Sequence, residues 1–163
     1  VPPITTVVDT RVVIQPLEPP PLAQDEAQPE LLLKELGIDN NAIPVIANMI
    51  GIVYVRDNTI YIRENGVEEA FIDEEVGDPY SPILFTINNR RILAYILVQN
   101  GTARIRIINL NTKNALFARL KDDITIDHES RLAYSNALLV FTGIDKDGVY
   151  NLYGIAFSGT AKT

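Results

Sequence analysis

The stretch from Ile92 to Lys113, "ILAYILVQNGTARIRIINLNTK", decides the fold, because its pattern recurs later in the chain. The stretch from Leu138 to Phe157, "LLVFTGIDKDGVYNLYGIAF", has the same order of features: an apolar segment with an aromatic residue, a polar turn and a second apolar segment. Short apolar segments separated by Asn-Gly or Asp-Gly are typical of antiparallel hairpins, since both central residues of a type I′ turn need positive φ. The repeated pattern predicts a mainly β fold.

A third copy, "GIVYVRDNTIYIRENGVEEAFI", begins at Gly51. The aromatic residues of the three copies, Tyr54, Tyr95 and Phe141, are 41 and 46 residues apart. A period of this length with short antiparallel strands is the signature of a β-propeller blade, and a two-faced blade has to stack between neighbours. We expect residues 44–163 to form about 2.5–3 blades of an incomplete ring, because closed propellers have four to eight. The predicted repeat cores lie near residues 51–72, 92–118 and 138–163.

The central copy resembles the repeat of TolB-type propellers, which are WD40-like (PD40-type) repeats. Such blades read roughly Ser-Pro-Asp-Gly-Lys, Ile-Ala-Phe/Tyr, Asn-Gly, Ile-Tyr-Val, Asp-Leu and Thr-Gly. Ser81-Pro82 lies further upstream than in that family, and Asn88–Arg91 stand in place of Asp-Gly-Lys. The matching segments are Ile92–Tyr95, Asn100-Gly101, Ile105–Leu110 and Thr112. The resemblance covers residues 50–163 and implies the fold but no chemistry, because scaffolds, envelope proteins and gating domains of serine peptidases share such repeats.

Residues 1–28 are predicted to form an extended, Pro-rich arm. Seven of the ten prolines lie within the first thirty residues, and proline fixes φ and removes a backbone donor. The arm is either a disordered linker or a strand that lies along a partner. In the second interpretation its β-branched residues are the candidate partner-binding positions: Ile4, Val7, Val8, Val12, Val13 and Ile14.

One short helix is predicted over residues 29–37. Pro29 suits the first helical turn, and Gly37 suits the position that follows the last turn. Leu32, Leu33 and Leu36 share one face at helical spacing, which indicates that the helix packs on the following domain.

Composition excludes several classes of partner. The net charge is −7 and the basic residues are scattered, so neither nucleic acid nor an anionic membrane surface is an expected partner. The longest weakly polar run, Ala42–Val55, is too short to span a bilayer and contains Pro44, so no transmembrane segment is predicted. The chain has no cysteine, which rules out disulfides and thiolate chemistry.

No catalytic residue, cofactor site or metal site is predicted, because no nucleophile elbow, phosphate loop or His-Glu-x-x-His motif occurs. His128 has Asp127 and Ser130 near it in sequence, but a polar loop residue explains it better than a triad. The acidic stretch from residue 64 to residue 78 is interpreted as a solvated loop, although Ca²⁺ is conceivable there. Asn100 begins a formal glycosylation sequence at a predicted hairpin tip.

These observations favour a non-catalytic interaction or scaffold module of a larger assembly, whose N-terminal arm contacts a neighbouring chain. Open blade faces need a cover: further blades of the same parent chain, other proteins or self-assembly. The TolB resemblance and the Pro-rich start imply an extracytoplasmic location (periplasm, cell envelope or secreted). The alternative is the propeller portion of a prolyl-oligopeptidase-type serine peptidase with its catalytic domain outside this chain. A small-molecule sensor is disfavoured, because Tyr54, Tyr95 and Phe141 are expected in the core.

Overall fold

The computed structural model describes residues 19–25, 28–38, 46–48, 51–135 and 138–157. These residues form one helix and twelve β-strands, so the prediction of a mainly β fold with one short helix is confirmed. The elements are α1 (Gln28–Glu35), β1 (Ile46–Asn48), β2 (Ile52–Arg56), β3 (Thr59–Glu64), β4 (Val67–Phe71), β5 (Asp78–Ile87), β6 (Arg90–Gln99), β7 (Thr102–Asn109), β8 (Ala115–Phe117), β9 (Thr125–Ile126), β10 (Ala133–Ser135), β11 (Leu138–Ile144) and β12 (Tyr150–Ala156).

The strands form three antiparallel sheets. The first sheet has the order β2-β3-β4, and the central sheet has the order β1-β5-β6-β7-β8. In the third sheet β12 pairs with one edge of β11, and β10 and β9 pair with different parts of β11. Most connections are hairpins between consecutive strands, so each sheet is built largely from residues that are near one another in sequence.

Four hairpins turn at dipeptides made of Asn, Asp or Gly. The turn residues are Asp57-Asn58, Asn65-Gly66, Asn88-Asn89 and Asn100-Gly101, and all eight have positive φ between 48° and 78°. This is the conformation that a type I′ turn requires, and Asn, Asp and Gly tolerate it best. The β11–β12 turn is longer: the Asp145 carboxylate accepts the backbone N–H groups of Asp147 (2.8 Å) and Val149 (2.9 Å).

The central sheet is buried on both faces. Even-numbered residues from Ile92 to Ile96 pack against the third sheet and α1, and odd-numbered residues from Leu93 to Leu97 pack against the first sheet. Side chains alternate between the faces of a strand, so a strand buried on both faces is apolar at successive positions. The three sheets therefore form a stack with the central sheet in the middle.

Helix α1 packs in the larger core, between the central and third sheets, through Leu32, Leu33 and Leu36. It is one residue earlier at its start than predicted, and Gly37 follows it with φ of +70°. The buried Asn109 side chain donates to the carbonyl of Leu36 at 2.8 Å, which satisfies an acceptor that the helix end leaves free.

Residues 21–24, at the end of the predicted arm, lie along the free edge of β12. Leu22 forms a parallel bridge with Gly154, and backbone hydrogen bonds join Gly154 to Pro21 and Ala23. The Gln24 side chain donates to the carbonyl of Ala156 (3.1 Å) and accepts its N–H (2.8 Å). This part of the arm therefore packs on its own chain. The six candidate partner-binding residues between positions 4 and 14 lie outside the described residues.

The described residues show stacked antiparallel sheets but no closed ring. The sheets have three, five and four strands, whereas the blade pattern predicts a uniform four. The propeller interpretation therefore stays a prediction.

Candidate interaction surfaces

The three sheets have the same orientation in the stack. Tyr95 on β6 faces the first sheet and Phe141 on β11 faces the central sheet, so each aromatic residue points toward the preceding sheet. Tyr54 occupies the equivalent position on β2, and its face of the first sheet points away from the central sheet, because Val53 and Val55 face inward. The two ends of the stack are consequently different surfaces.

We name these surfaces by their place in the chain. The N-terminal outer face is the outer side of the first sheet and comprises Ile52, Tyr54, Arg56, Thr59, Tyr61, Arg63, Glu68 and Ala70. The C-terminal outer face is the outer side of the third sheet and comprises Leu138, Val140, Thr142, Ile144, Tyr150 and Leu152.

The N-terminal outer face is aromatic, with Arg56 at one end and Arg63 opposite Glu68 at the other. The rings of Tyr54 and Tyr61 stack with centroids 5.7 Å apart, and the Arg56 guanidinium lies 4.2 Å from the Tyr61 centroid. A guanidinium over a tyrosine ring is held by the charge distribution of the ring. Tyr54 is only half-buried, unlike Tyr95 and Phe141, so the prediction that all three belong to the core is wrong for Tyr54.

The C-terminal outer face is apolar and partly open. Leu152 is 57% exposed and Tyr150 is 62% exposed, although both lie on a strand whose other residues are buried toward its end. Leu138, at the opposite end of this face, is buried. The acids of the β11–β12 turn, Asp145 and Asp147, lie at the open rim. Contiguous exposed apolar side chains with a polar rim are typical of an interaction surface.

A polar cluster lies between the first and central sheets. Asp73, in the loop between β4 and β5, accepts hydrogen bonds from Arg106 Nε (2.9 Å) and Nη2 (3.0 Å), and from the Tyr95 hydroxyl. Tyr95 and Arg106 are both buried. The bidentate geometry adds orientation as well as energy. The cluster thus joins the loop that leaves the first sheet to the face of the central sheet.

The residues of this cluster shift one another's pKa. Burial alone raises the pKa of Asp73, but the hydrogen bonds from Arg106 and Tyr95 and the Arg106 charge together hold that pKa below its usual range. Burial, the hydrogen bond to Asp73 and its negative charge raise the pKa of Tyr95. Burial lowers the pKa of Arg106, and the bond to Asp73 more than offsets this, so that pKa is raised. Asp73 and Arg106 are therefore charged and Tyr95 neutral at physiological pH.

The β4–β5 loop exposes two apolar side chains on an anchored backbone. Beyond the Asp73 bonds, Gln99 Nε2 donates to the carbonyl of Val76 at 2.9 Å, and Asn58 Nδ2 donates to Asp78 at 2.9 Å. Ile72 and Val76 are each 86% exposed. The interpretation of this acidic stretch as a solvated loop is therefore wrong for Asp73, and also for Glu64, which pairs with Arg91.

The other polar residues singled out in the sequence lie apart from these surfaces. His128 is exposed in the connection between β9 and β10. Ser130 is buried, and its hydroxyl accepts the backbone N–H of Thr142 at 2.8 Å, which gives it a structural role. Asn100 is exposed in the β6–β7 turn, as predicted. Among the residues described, no group of three or more His, Asp or Glu side chains is arranged to hold a metal ion.

The hairpin turns of successive sheets lie along one rim of the stack. A cavity of about 510 Å³ is lined by Gly101 and Thr102 of the β6–β7 turn and by Ile144 at the end of β11. On the other side of the central sheet, the Asn58 side chain of the β2–β3 turn reaches Asp78 at the start of β5. The rim is therefore continuous from the first sheet to the third.

Comparison of the chain with protein-family models, curated proteins and solved structures found no match in any of the three. The resemblance to TolB-type repeats stays a prediction. Within the ranges that the structure describes, no helix has the length and hydropathy needed to cross a membrane.

Proposed function

We propose that the chain is a non-catalytic interaction and scaffold module of the β-propeller type, acting within a larger extracytoplasmic assembly. The observation that carries this proposal is the exposed C-terminal outer face. Both faces of the central sheet are covered by neighbouring sheets, whereas the third sheet leaves Tyr150 and Leu152 largely in solvent. A further sheet, from the same parent chain or from another protein, is the kind of surface that would complete the stack.

The free energy gained by covering this face determines how much of it a partner has to bury. Complete burial of a large apolar side chain contributes about 1.5–3 kcal/mol, so covering the exposed parts of Tyr150 and Leu152 contributes about 1–2 kcal/mol each. Association of two separate molecules costs about 4–15 kcal/mol in lost translational and rotational freedom. Two side chains are therefore insufficient, and the partner has to cover the whole face or be tethered to it.

Cysteine accessibility tests this proposal, because the chain has no cysteine of its own. Leu152→Cys introduces a single thiol on the C-terminal outer face. Leu31→Cys is the matched control, since Leu31 is also exposed and lies on α1, away from both outer faces. The rate of maleimide labelling is measured for each variant in the isolated chain and in the native envelope or periplasmic fraction.

Strong protection of Leu152→Cys in the native fraction, with an unchanged rate for Leu31→Cys, is the expected result. Equal labelling of Leu152→Cys in the isolated chain and the native fraction would refute the proposal, because the face would then be free in the assembly. Recovery of the protein only from the cytoplasm would refute the extracytoplasmic part. Covalent labelling of the native polypeptide by a fluorophosphonate would favour the serine-peptidase alternative.

A further inference from the structure

We infer that the partner of the C-terminal outer face is the N-terminal outer face of a second copy, so that copies of this chain stack head to tail. This inference rests on the proposed function, because it names the partner of the same face. Three observations support this inference. The aromatic face of each sheet points toward the N-terminal end of the stack, the charges at the rim are opposite at the two ends, and the same packing of one sheet on the next already occurs within the chain.

The packing required between copies already occurs twice within one chain. The side of the central sheet that carries Tyr95 packs on the inner side of the first sheet, and the side of the third sheet that carries Phe141 packs on the central sheet. The chain therefore leaves one face of each kind without a covering sheet among the described residues. The N-terminal outer face carries Tyr54, as its counterparts carry Tyr95 and Phe141. A second copy offers the surface that continues the series.

The charges at the two ends are complementary. Arg56 lies on the N-terminal outer face, where the other arginine, Arg63, has Glu68 opposite it on β4. Asp145 and Asp147 lie in the turn beside the C-terminal outer face. The turns of successive sheets share one rim within the chain, so the β2–β3 turn of a second copy would lie along the β11–β12 turn of the first. Arg56 immediately precedes the β2–β3 turn and would then approach the two aspartates. Opposite charges at a rim orient partners more than they strengthen binding.

The size of the face predicts weak association. Three strands about 4.8 Å apart and seven residues of about 3.3 Å each give a surface of about 14 by 23 Å, or at most about 320 Å², because the Leu138 end of the face is already buried. A standard stable interface buries about 800 Å² on each partner. The net charge of −7 also makes copies repel one another. Association is therefore expected toward millimolar concentration, or where copies are held together by a larger structure.

Sedimentation velocity of the purified chain, from micromolar to millimolar concentration, tests the inference. Three variants are compared with the natural sequence, and far-UV circular dichroism checks that each is folded. Leu152→Asp disables the C-terminal outer face. The double variant Ile52→Asp with Arg56→Glu disables the N-terminal outer face, and Leu31→Asp is the matched control. All four positions are exposed, so each variant is expected to fold.

Head-to-tail association predicts a specific pattern of sedimentation results. The natural sequence and Leu31→Asp gain mass with concentration, and each face variant alone stays monomeric, because all of its copies lack one of the two faces that the contact needs. An equimolar mixture of the two face variants contains heterodimers and nothing larger, because a heterologous contact needs one intact face from each partner and the other two faces are disabled.

Two results would overturn the inference. A monomeric natural sequence at millimolar concentration would exclude a second copy as the partner, and the labelling of Leu152→Cys in the native fraction would still decide the proposed function independently. A double variant that dimerises as well as the natural sequence, through its intact C-terminal outer face alone, would indicate a two-fold symmetric contact in place of head-to-tail stacking.

Discussion

Replacing Asp73 with Asn tests how strongly the loop between β4 and β5 holds the first sheet on the central sheet. The side chains of Arg106 and Asp73 are 9% and 11% exposed and form a bidentate pair. Removing one partner of a fully buried pair costs about 3–5 kcal/mol, whereas an exposed pair contributes less than about 1 kcal/mol. For this nearly buried pair we expect Asp73→Asn to lower the free energy of unfolding by about 2–4 kcal/mol.

Urea unfolding followed by far-UV circular dichroism measures this loss. With a slope of about 2 kcal/mol per molar urea, the midpoint should fall by about 1–2 M. Glu74→Gln is the matched control, because it removes a carboxylate from the same loop without touching Arg106, and its midpoint should hardly change. The expected ranking is natural sequence and Glu74→Gln together, with Asp73→Asn well below them.

The pH dependence of this difference gives a second readout. The pKa of Asp73 is lower in the folded chain than in the unfolded chain, where it is about 3.9. Its contribution to stability is therefore present above the unfolded pKa and is lost as the pH falls through the folded pKa. The difference between Asp73→Asn and the natural sequence should be full at neutral pH and shrink in acid. Equal midpoints at neutral pH would show that the pair contributes little. A difference that acid leaves unchanged would show that the loss does not come from the charge of Asp73.

Two further predictions concern the third sheet. Gly143→Ala should destabilise the protein by about 1–3 kcal/mol, because the new Cβ would lie 2.7 Å from Tyr153 and overpack the core. Thermal unfolding measures the loss, and Gly154→Ala is the control. Its loss should be smaller, because no atom would lie closer than 3.3 Å to the new Cβ. Gln24→Ala removes both side-chain hydrogen bonds to Ala156, so amide hydrogen exchange at Ala156 should become faster. Unchanged exchange would mean that the Gln24 side chain does not hold residues 21–24 on β12.

The hairpins could be predicted from the sequence because their determinants are local. Asn65-Gly66 and Asn100-Gly101 specify positive φ by themselves, and the flanking apolar residues set the strands. The repeat spacing also predicts which strands are equivalent. These are relations between neighbours or between copies of one pattern, and neither depends on the rest of the fold.

The features that the sequence did not reveal depend on contacts between distant residues. Asp73 looked like one member of an acidic loop, and only the fold brings it to Arg106, 33 positions away. Ser81 has positive φ at an irregularity in β5, and its hydroxyl accepts the N–H of Leu132 across 51 positions. Tyr54 matches Tyr95 in the repeat, and its exposure follows from the place of the first sheet at one end of the stack. No local sequence pattern predicts which distant residues come into contact in the fold.

The pairing of residues 21–24 with β12 also constrains how the chain folds as it is made. Gln24 and Ala156 are 132 positions apart, so at about 5–20 residues per second the ribosome needs about 7–26 s to supply the partner of this early segment. The first and central sheets are complete in sequence before β12 emerges, and they can form while residues 21–24 are still without their strand. The segment must therefore stay available until β12 has been synthesised, because its hydrogen-bonding partner does not exist before then.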